Sequence, residues 1–183
     1  MRLGILSNGP GLAEIVKIYG HSTQWIPNVI NDSNIDYIVK KVYNNEKLSI
    51  DEADAWIITG SKYSVYDKLQ WIGSLLDFIV KLHANKKYML GICFGHQVIA
   101  EALGGKVEKN VKGWELGSYP VSLTNAGQSH QLFEGFNDKD LVYESHQDTV
   151  VSLPENSIEL AFTDKGNQSF CIDDNIFGVQ FHP

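Results

Sequence analysis

The chain has 183 residues, with 15 basic and 22 acidic side chains and a formal net charge of −7. That length favours one domain with a sizeable core, and 43% hydrophobic against 20% charged residues excludes disorder, collagen-like repeats and low complexity. The acidic balance leaves no electrostatic footprint for nucleic acid or an anionic membrane, no apolar run reaches the length of a membrane span, and two cysteines in unlike settings, Cys93 and Cys171, argue against a disulfide framework and for a reduced cytoplasmic setting.

Short apolar runs alternate with longer amphipathic stretches, the pattern of a mostly parallel central sheet flanked by helices. Arg2 to Ser7 is the first buried strand, broken by Asn8-Gly9-Pro10-Gly11. Leu12 to Tyr19 is predicted as a short helix and Thr23 to Ile26 as a second strand. From Asn31 to Glu52 the apolar positions fit neither period. Ala55 to Thr59 is a buried strand ended by Gly60-Ser61, and the spacing of Trp71, Leu75, Leu76, Phe78, Ile79 and Leu82 predicts a helix from about Gln70 to Ala84. Lys87 to Ile92 is the next strand, followed through Cys93-Phe94-Gly95 by a helix from His96 to Leu103 that Gly104-Gly105 stops. Beyond it, Trp114–Leu123, Leu141–Glu144, Ile158–Thr163, Ser169–Asp173 and Ile176–Phe181 read as short strands added in antiparallel fashion. With no repeat, linker or charge block, one α/β domain with one mixed sheet is expected.

The informative stretch is Gly91-Ile92-Cys93-Phe94-Gly95-His96-Gln97. Glycines two before and two after a cysteine, between a buried strand and a helix, have the spacing of a nucleophile elbow. The chain reverses there within a few residues, and the glycines remove side chains that would clash. The sulfur then lies at a strand's carboxyl end and a helix N-terminus, where the dipole favours thiolate, and the free first-turn amide of Phe94 can face an oxyanion. The competing reading is a buried structural cysteine. Cys171, in Phe170-Cys171-Ile172, is expected in the core.

A cysteine nucleophile needs a base. His182 ends the last strand as Cys93 ends an earlier one, and sites in open α/β sheets gather where strands end. His96, on the nucleophile's own helix, is the weaker candidate and is expected to be buried. His146, before Gln147-Asp148, is expected in a polar turn that could line a pocket; His21, His83 and His130 are expected at the surface. No histidine pair has metal-ligand spacing, so no metal site is expected.

These residues resemble the class I glutamine amidotransferases. The matching pieces are Thr59-Gly60-Ser61, Gly91 to Gln97, Ser145-His146-Gln147-Asp148 and Gly178-Val179-Gln180-Phe181-His182-Pro183, in the family's order. Trp114 to Gly117 and Ser64 to Asp67 look like the stand-alone GMP synthase-like subgroup, near the γ-glutamyl peptidases. The resemblance implies a flavodoxin-like fold and a Cys-His-Glu triad, in which Cys93 attacks the side-chain amide of glutamine and His182 shuttles the proton. It implies an oxyanion hole from Gly60 and Phe94, and substrate contacts from Ser61, Gln97, Ser145, Gln147 and Asp148. Trp114 and Tyr119 are expected to be packing aromatics. The substrate expected is glutamine or a γ-glutamyl compound; the acceptor expected is a separate synthetase, and no cofactor is implied. The alternatives are a γ-glutamyl peptide or conjugate hydrolase and a non-catalytic binding module of the same fold.

The family's triad glutamate lies two residues after the histidine, whereas this sequence stops at Pro183. The expectation is a domain over 1–183 truncated at its C-terminus; the alternative is another acid, such as Asp148, beside the second ring nitrogen of His182. No G-x-x-x-x-G-K-[ST] nucleotide loop is present, so the subgroup's name does not establish GMP synthesis.

Overall fold

A computed structural model describes residues 1–182. The chain runs β1 (Arg2–Ser7), α1 (Ala13–Tyr19), α2 (Ser22–Ile30), β2 (Asp36–Lys41), β3 (Ala55–Ile58), α3 (Gln70–Ala84), β4 (Tyr88–Ile92), α4 (Phe94–Ala102), β5 (Lys106–Lys109), β6 (Glu115–Pro120), β7 (Ser122–Leu123), α5 (Asn125–Gln128), β8 (Leu141–His146), β9 (Asp148–Ser152), β10 (Ser157–Thr163), β11 (Gly166–Ile172) and β12 (Ile176–Val179). Eight strands form one sheet in the order β2-β1-β3-β4-β12-β11-β10-β7. The pairs from β2 to β12 are parallel and those from β12 to β7 antiparallel, so the fold is α/β with a mostly parallel sheet and antiparallel additions. Two antiparallel ribbons, β5–β9 and β6–β8, stand beside it.

β1 and β3 bury nearly every residue because both faces of the parallel part are covered, which is why they read as unbroken apolar runs. On one face, α3 places Trp71, Ile72, Leu75, Phe78, Ile79 and Leu82 against the sheet, and Phe78 meets Trp56 of β3 edge-on at 5.2 Å. A second cluster, including Leu160, Cys171, Val179 and Phe181, packs under the antiparallel part; Cys171 is 3% exposed and belongs to the core.

Several elements differ from expectation. Thr23 to Ile26 is not a strand but part of α2. His21 caps that helix: its Nδ1 accepts from the Thr23 amide at 3.2 Å, while Gln24 Oε1 accepts from the His21 amide at 2.9 Å. This reciprocal capping outweighs the strand propensity of a four-residue window. The unreadable stretch 31–52 holds the sheet-edge strand β2, whose half-exposed faces blur any period, and two short 3₁₀ turns. The helix expected from His96 starts at Phe94, directly on the elbow. Trp114–Leu123 divides into β6 and β7, and the last strand ends at Val179 rather than Phe181. His146 to Asp148 is no extended polar turn. β8 runs to His146 and β9 begins at Asp148, leaving Gln147 alone between them.

The parallel strands β1, β3, β4 and β12 all end on one side of the sheet. There the segments Asn8–Gly11, Thr59–Tyr63, Cys93–Phe94 and Gln180–His182 come together, the crevice beyond the carboxyl ends of the strands.

Candidate active site

Cys93 occupies a left-handed backbone conformation (φ 55°, ψ −107°) as the residue before α4. A non-glycine residue accepts such a conformation only where its surroundings over-determine it. Here the Cys93 amide donates to the Val179 carbonyl at 2.8 Å and its carbonyl accepts from the Gln97 amide at 3.2 Å. The flanking glycines are required: a Cβ on Gly91 would lie 2.3 Å from the Gly95 oxygen, and one on Gly95 2.0 Å from the Ile58 oxygen.

A Cβ on Gly60 would stand 3.9 Å from Cys93 Sγ and 3.4 Å from His182 Cε1, so the thiol and the imidazole face one small space that glycine leaves open. His182 is placed by its backbone, whose amide donates to the Tyr143 carbonyl at 2.8 Å in an isolated antiparallel bridge. Its ring reaches solvent at the cavity mouth, yet partial burial and the nearby charge on His146 hold its pKa below the ordinary imidazole value.

The helix dipole at Cys93 is opposed by burial. The helix N-terminus does not make Cys93 a ready thiolate: burial pushes the thiol up to about 12, with Glu144 and Asp148 adding to the rise and the Phe94 amide opposing it. A helix terminus contributes about 1 kcal/mol, whereas moving a thiol from 9 to about 12 corresponds to about 4 kcal/mol against the anion. Burial therefore favours the protonated thiol over the thiolate.

The cavity over Cys93 measures about 520 Å³. Gly60, Ser61, Cys93, Gln97, Ser145, Gln147, Asp148 and His182 all line it, while Phe94, the first residue of α4, follows Cys93 and does not line the cavity. Their partners are specific. Ser61 Oγ donates to the Asn8 carbonyl at 2.7 Å. Gln97 is buried, and its Nε2 donates to the Asp148 carbonyl at 3.0 Å and to Gln180 Oε1 at 2.9 Å. The Asp148 carboxylate accepts from Ser64 Oγ at 2.5 Å and Tyr66 Oη at 2.8 Å. That engagement directs it to the Ser64–Tyr66 loop, and among the described residues no carboxylate hydrogen-bonds the His182 ring. Among them, too, no group of three or more His, Cys, Asp or Glu residues could hold a metal ion.

Sequence reasoning missed several lining residues. His21, expected at the surface, borders the cavity with Nε2 2.9 Å from the Gly9 carbonyl. Trp114, expected to be packing, is 54% exposed at the rim, while Tyr119 is half-buried under the Lys165 ammonium. Leu12, Ile15 and Trp25 of the α1–α2 region also line the cavity. Large apolar side chains with no core to enter were the available signal, but it needed the tertiary positions of α1 and α2. His96 is fully buried beside Phe170, as expected, and its pKa falls to about 3.

Fold and site together define an open α/β protein with a cysteine elbow at its strand ends. The chain belongs to the class-I glutamine amidotransferase family, whose family model matches residues 14–183. It is 36% identical over 140 residues to γ-glutamyl peptidase 3 of Arabidopsis thaliana, a match over 73% of this chain and 55% of that protein. It is 34% identical over 132 residues to one of the subunits of the glutamine-hydrolysing GMP synthase of Sulfurisphaera tokodaii, over 71% of this chain and 66% of the relative. The chain thus spans little more than half the length of the plant peptidase. A glutamine amidotransferase from Thermotoga maritima superposes over the whole chain and 75% of its own length, with a TM-score of 0.83 at 22% identity, a likeness of fold. Among the described residues no helix is long and apolar enough to cross a membrane.

Proposed function

We propose that the chain hydrolyses the side-chain amide of glutamine to glutamate and ammonia through a γ-glutamyl thioester on Cys93. The observation that carries this reading is the convergence of the strained Cys93, the His182 imidazole and the side-chain-free Gly60 on one small space. His182 takes the thiol proton as sulfur attacks the amide carbon. The amides of Phe94 and Gly60 hold the tetrahedral oxyanion. His182 returns the proton to the departing ammonia, then accepts one from the water that cleaves the thioester. Ser61, Ser145, Gln147 and Asp148 grip the amino-acid end, with Gln97 bracing Asp148 through its carbonyl. The base must be neutral, and its pKa is lowered. The acid limb of kcat/KM is therefore expected below pH 6.5, a pH profile that a limb at or above 6.5 would contradict. The enzyme is read as cytoplasmic, and the likeness to a GMP synthase component supports delivery of ammonia to a separate synthetase.

A second reading rests on the cavity. Its volume of about 520 Å³ falls in the range of roughly 300–1,000 Å³ that holds drug-sized ligands, more than one free amino acid occupies. Trp114 and the apolar side chains of Leu12, Ile15 and Trp25 line the cavity as well, which favours a γ-glutamyl peptide or conjugate whose amine leaving group is larger than ammonia. The discriminating assay is glutamate release from glutamine and from a γ-glutamyl dipeptide with an aromatic second residue. On the peptidase reading, Trp114→Ala lowers the dipeptide-to-glutamine ratio of kcat/KM about tenfold, the value of one lost aromatic contact. An unchanged ratio returns the choice to glutamine. Folded protein that releases glutamate from neither substrate overturns both readings.

A further inference from the structure

Beneath the cavity lies a cluster of buried charges that the proposed chemistry does not use. Glu115 is 1% exposed, Glu144 3% and His146 5%. In the β6–β8 ribbon Glu115 stands directly opposite His146, and Glu144 is two residues along the same strand as the histidine. The imidazole Nε2 lies 3.1 Å from Glu144 Oε2 and 3.3 Å from Glu115 Oε2, while Nδ1 lies 2.9 Å from the Asp148 carbonyl oxygen. Every group facing the ring nitrogens is therefore an acceptor. Against two ionised carboxylates a neutral imidazole would turn a lone pair onto one side, whereas the doubly protonated ring presents a proton to each; burial raises the Glu144 pKa and the histidine opposes that rise. Glu115 is further held by the Thr163 hydroxyl at 2.7 Å and Gln168 Nε2 at 2.9 Å, whereas neither Glu144 oxygen accepts a hydrogen bond and its Oε2 meets His146 Nε2 only as a buried charge contact.

We propose that His146 is an imidazolium clamped between Glu115 and Glu144, and that it is the positioning residue for the Ser145–Asp148 segment of the cavity. The Asp148 carbonyl that His146 holds also accepts from Gln97 on α4, and Gln97 donates to Gln180, two residues before His182. One continuous network thus joins the substrate-side segment to the helix that starts at Cys93 and to the strand exit that carries His182. A shift of about 1 Å at such a junction costs on the order of 100-fold in rate. The charge has a second consequence. The titratable groups around the ring are Glu115 from β6, Glu144 from β8, Asp148 from β9, Cys93 and His96 from the elbow and α4, and His182 after β12. The imidazolium opposes a second positive charge on His182 and on His96, so it keeps the base in its proton-accepting form. Burial opposes the charge on His146, but the two carboxylates outweigh it and raise its pKa to about 9.

The positioning role rests on the Cys93–His182 reading, but protonation of the ring does not, so the test has two independent arms. In ¹⁵N-edited spectra of the wild-type protein at pH 8, His146 is expected to carry protons on both ring nitrogens. A single ring proton there overturns the assignment whatever the enzyme does. In the kinetic arm, His146→Gln is compared with the double variant His146→Gln/Glu144→Gln, which removes one charge of each sign and keeps the fold where the single variant fails. The double variant is expected to lose about 10- to 100-fold in kcat/KM and to shift its acid limb to higher pH. Wild-type kinetics and pH profile in the folded double variant overturn the positioning role. Full turnover in Cys93→Ala instead overturns the catalytic reading and leaves the spectroscopic result to decide the imidazolium.

Discussion

Replacing Cys93 with alanine is expected to abolish glutamate release from both glutamine and γ-glutamyl dipeptides, lowering kcat/KM by at least about 10⁴-fold. No neighbouring group replaces the thiol: the Ser61 hydroxyl is already donated to Asn8, and water lacks the oriented attack that the elbow provides. The fold is expected to survive. Cys93 is 6% exposed, and removing one sulfur from such a site costs about 1 kcal/mol. Cys93→Gly sharpens the test, because glycine relieves the left-handed conformation at φ 55° and regains about 1 kcal/mol of backbone strain. It should be equally inactive while melting no lower than the alanine variant. Glutamate release beside a thermal melt checks both parts. Release within tenfold of wild type from a folded Cys93→Ala protein would end the nucleophile assignment.

The largest effect on stability is expected at Gly95. A Cβ there would stand 2.0 Å from the Ile58 carbonyl oxygen and 2.8 Å from its carbon. That oxygen belongs to the backbone of β3, a strand held by β1 on one side and β4 on the other, so no rotamer change can clear it. Gly95→Ala must displace α4 or the central sheet, at a cost of about 3 kcal/mol or more. For a chain of this size that corresponds to a drop of roughly 10 °C in Tm. Gly73→Ala is the control: no atom lies within 4 Å of its Cβ position on α3, and alanine there is expected to hold Tm or raise it, with a gain in stability of up to about 1 kcal/mol. Equal melting of the two variants would show that close approach at the elbow is not what requires Gly95.

Stability should also depend on pH with opposing signs on either side of neutrality. His96 and His182 have lowered pKa values, to about 3 in the first case. Their contribution is present above the unfolded value of about 6.5 and is lost as pH falls through the folded values. The pKa of His146 is raised to about 9, so its contribution is full below about 6.5 and declines as pH rises through that interval. A stability maximum near pH 6.5 is expected from denaturant midpoints across pH 4 to 9. A curve that rises steadily from pH 6.5 to 9 would show that His146 folds as a neutral ring.

The parts legible in the sequence share a physical cause. Runs buried on both faces, such as Ile5-Leu6 and Trp56-Ile57-Ile58, are apolar because no register leaves a face in water. The helical stripe of α3 is legible for the same reason on one face. Gly91-Ile92-Cys93-Phe94-Gly95 could be read because the elbow is local: its glycines are required by atoms within the same turn or the adjoining strand. α2 was misread because its capping interactions compete with a weak propensity signal and it buries no residue. β2 was unreadable because an edge strand is half in water.

What the sequence by itself determined, then, is the α/β pattern and the cysteine between its glycines, set by burial and by the tight turn in which Gly91 meets Gly95. Tertiary structure alone decided the rest. Burial, a property of the whole packed site, favours the protonated thiol against the local helix dipole. Trp114 is a half-exposed cavity-lining residue that shares the site with side chains of α1 and α2 about a hundred residues before it. His146 meets Glu115 because β6 and β8 pair in one register, across 31 residues of chain that carry no sign of the pairing. Charges are matched by distance in space, and a sequence states only distance along the chain.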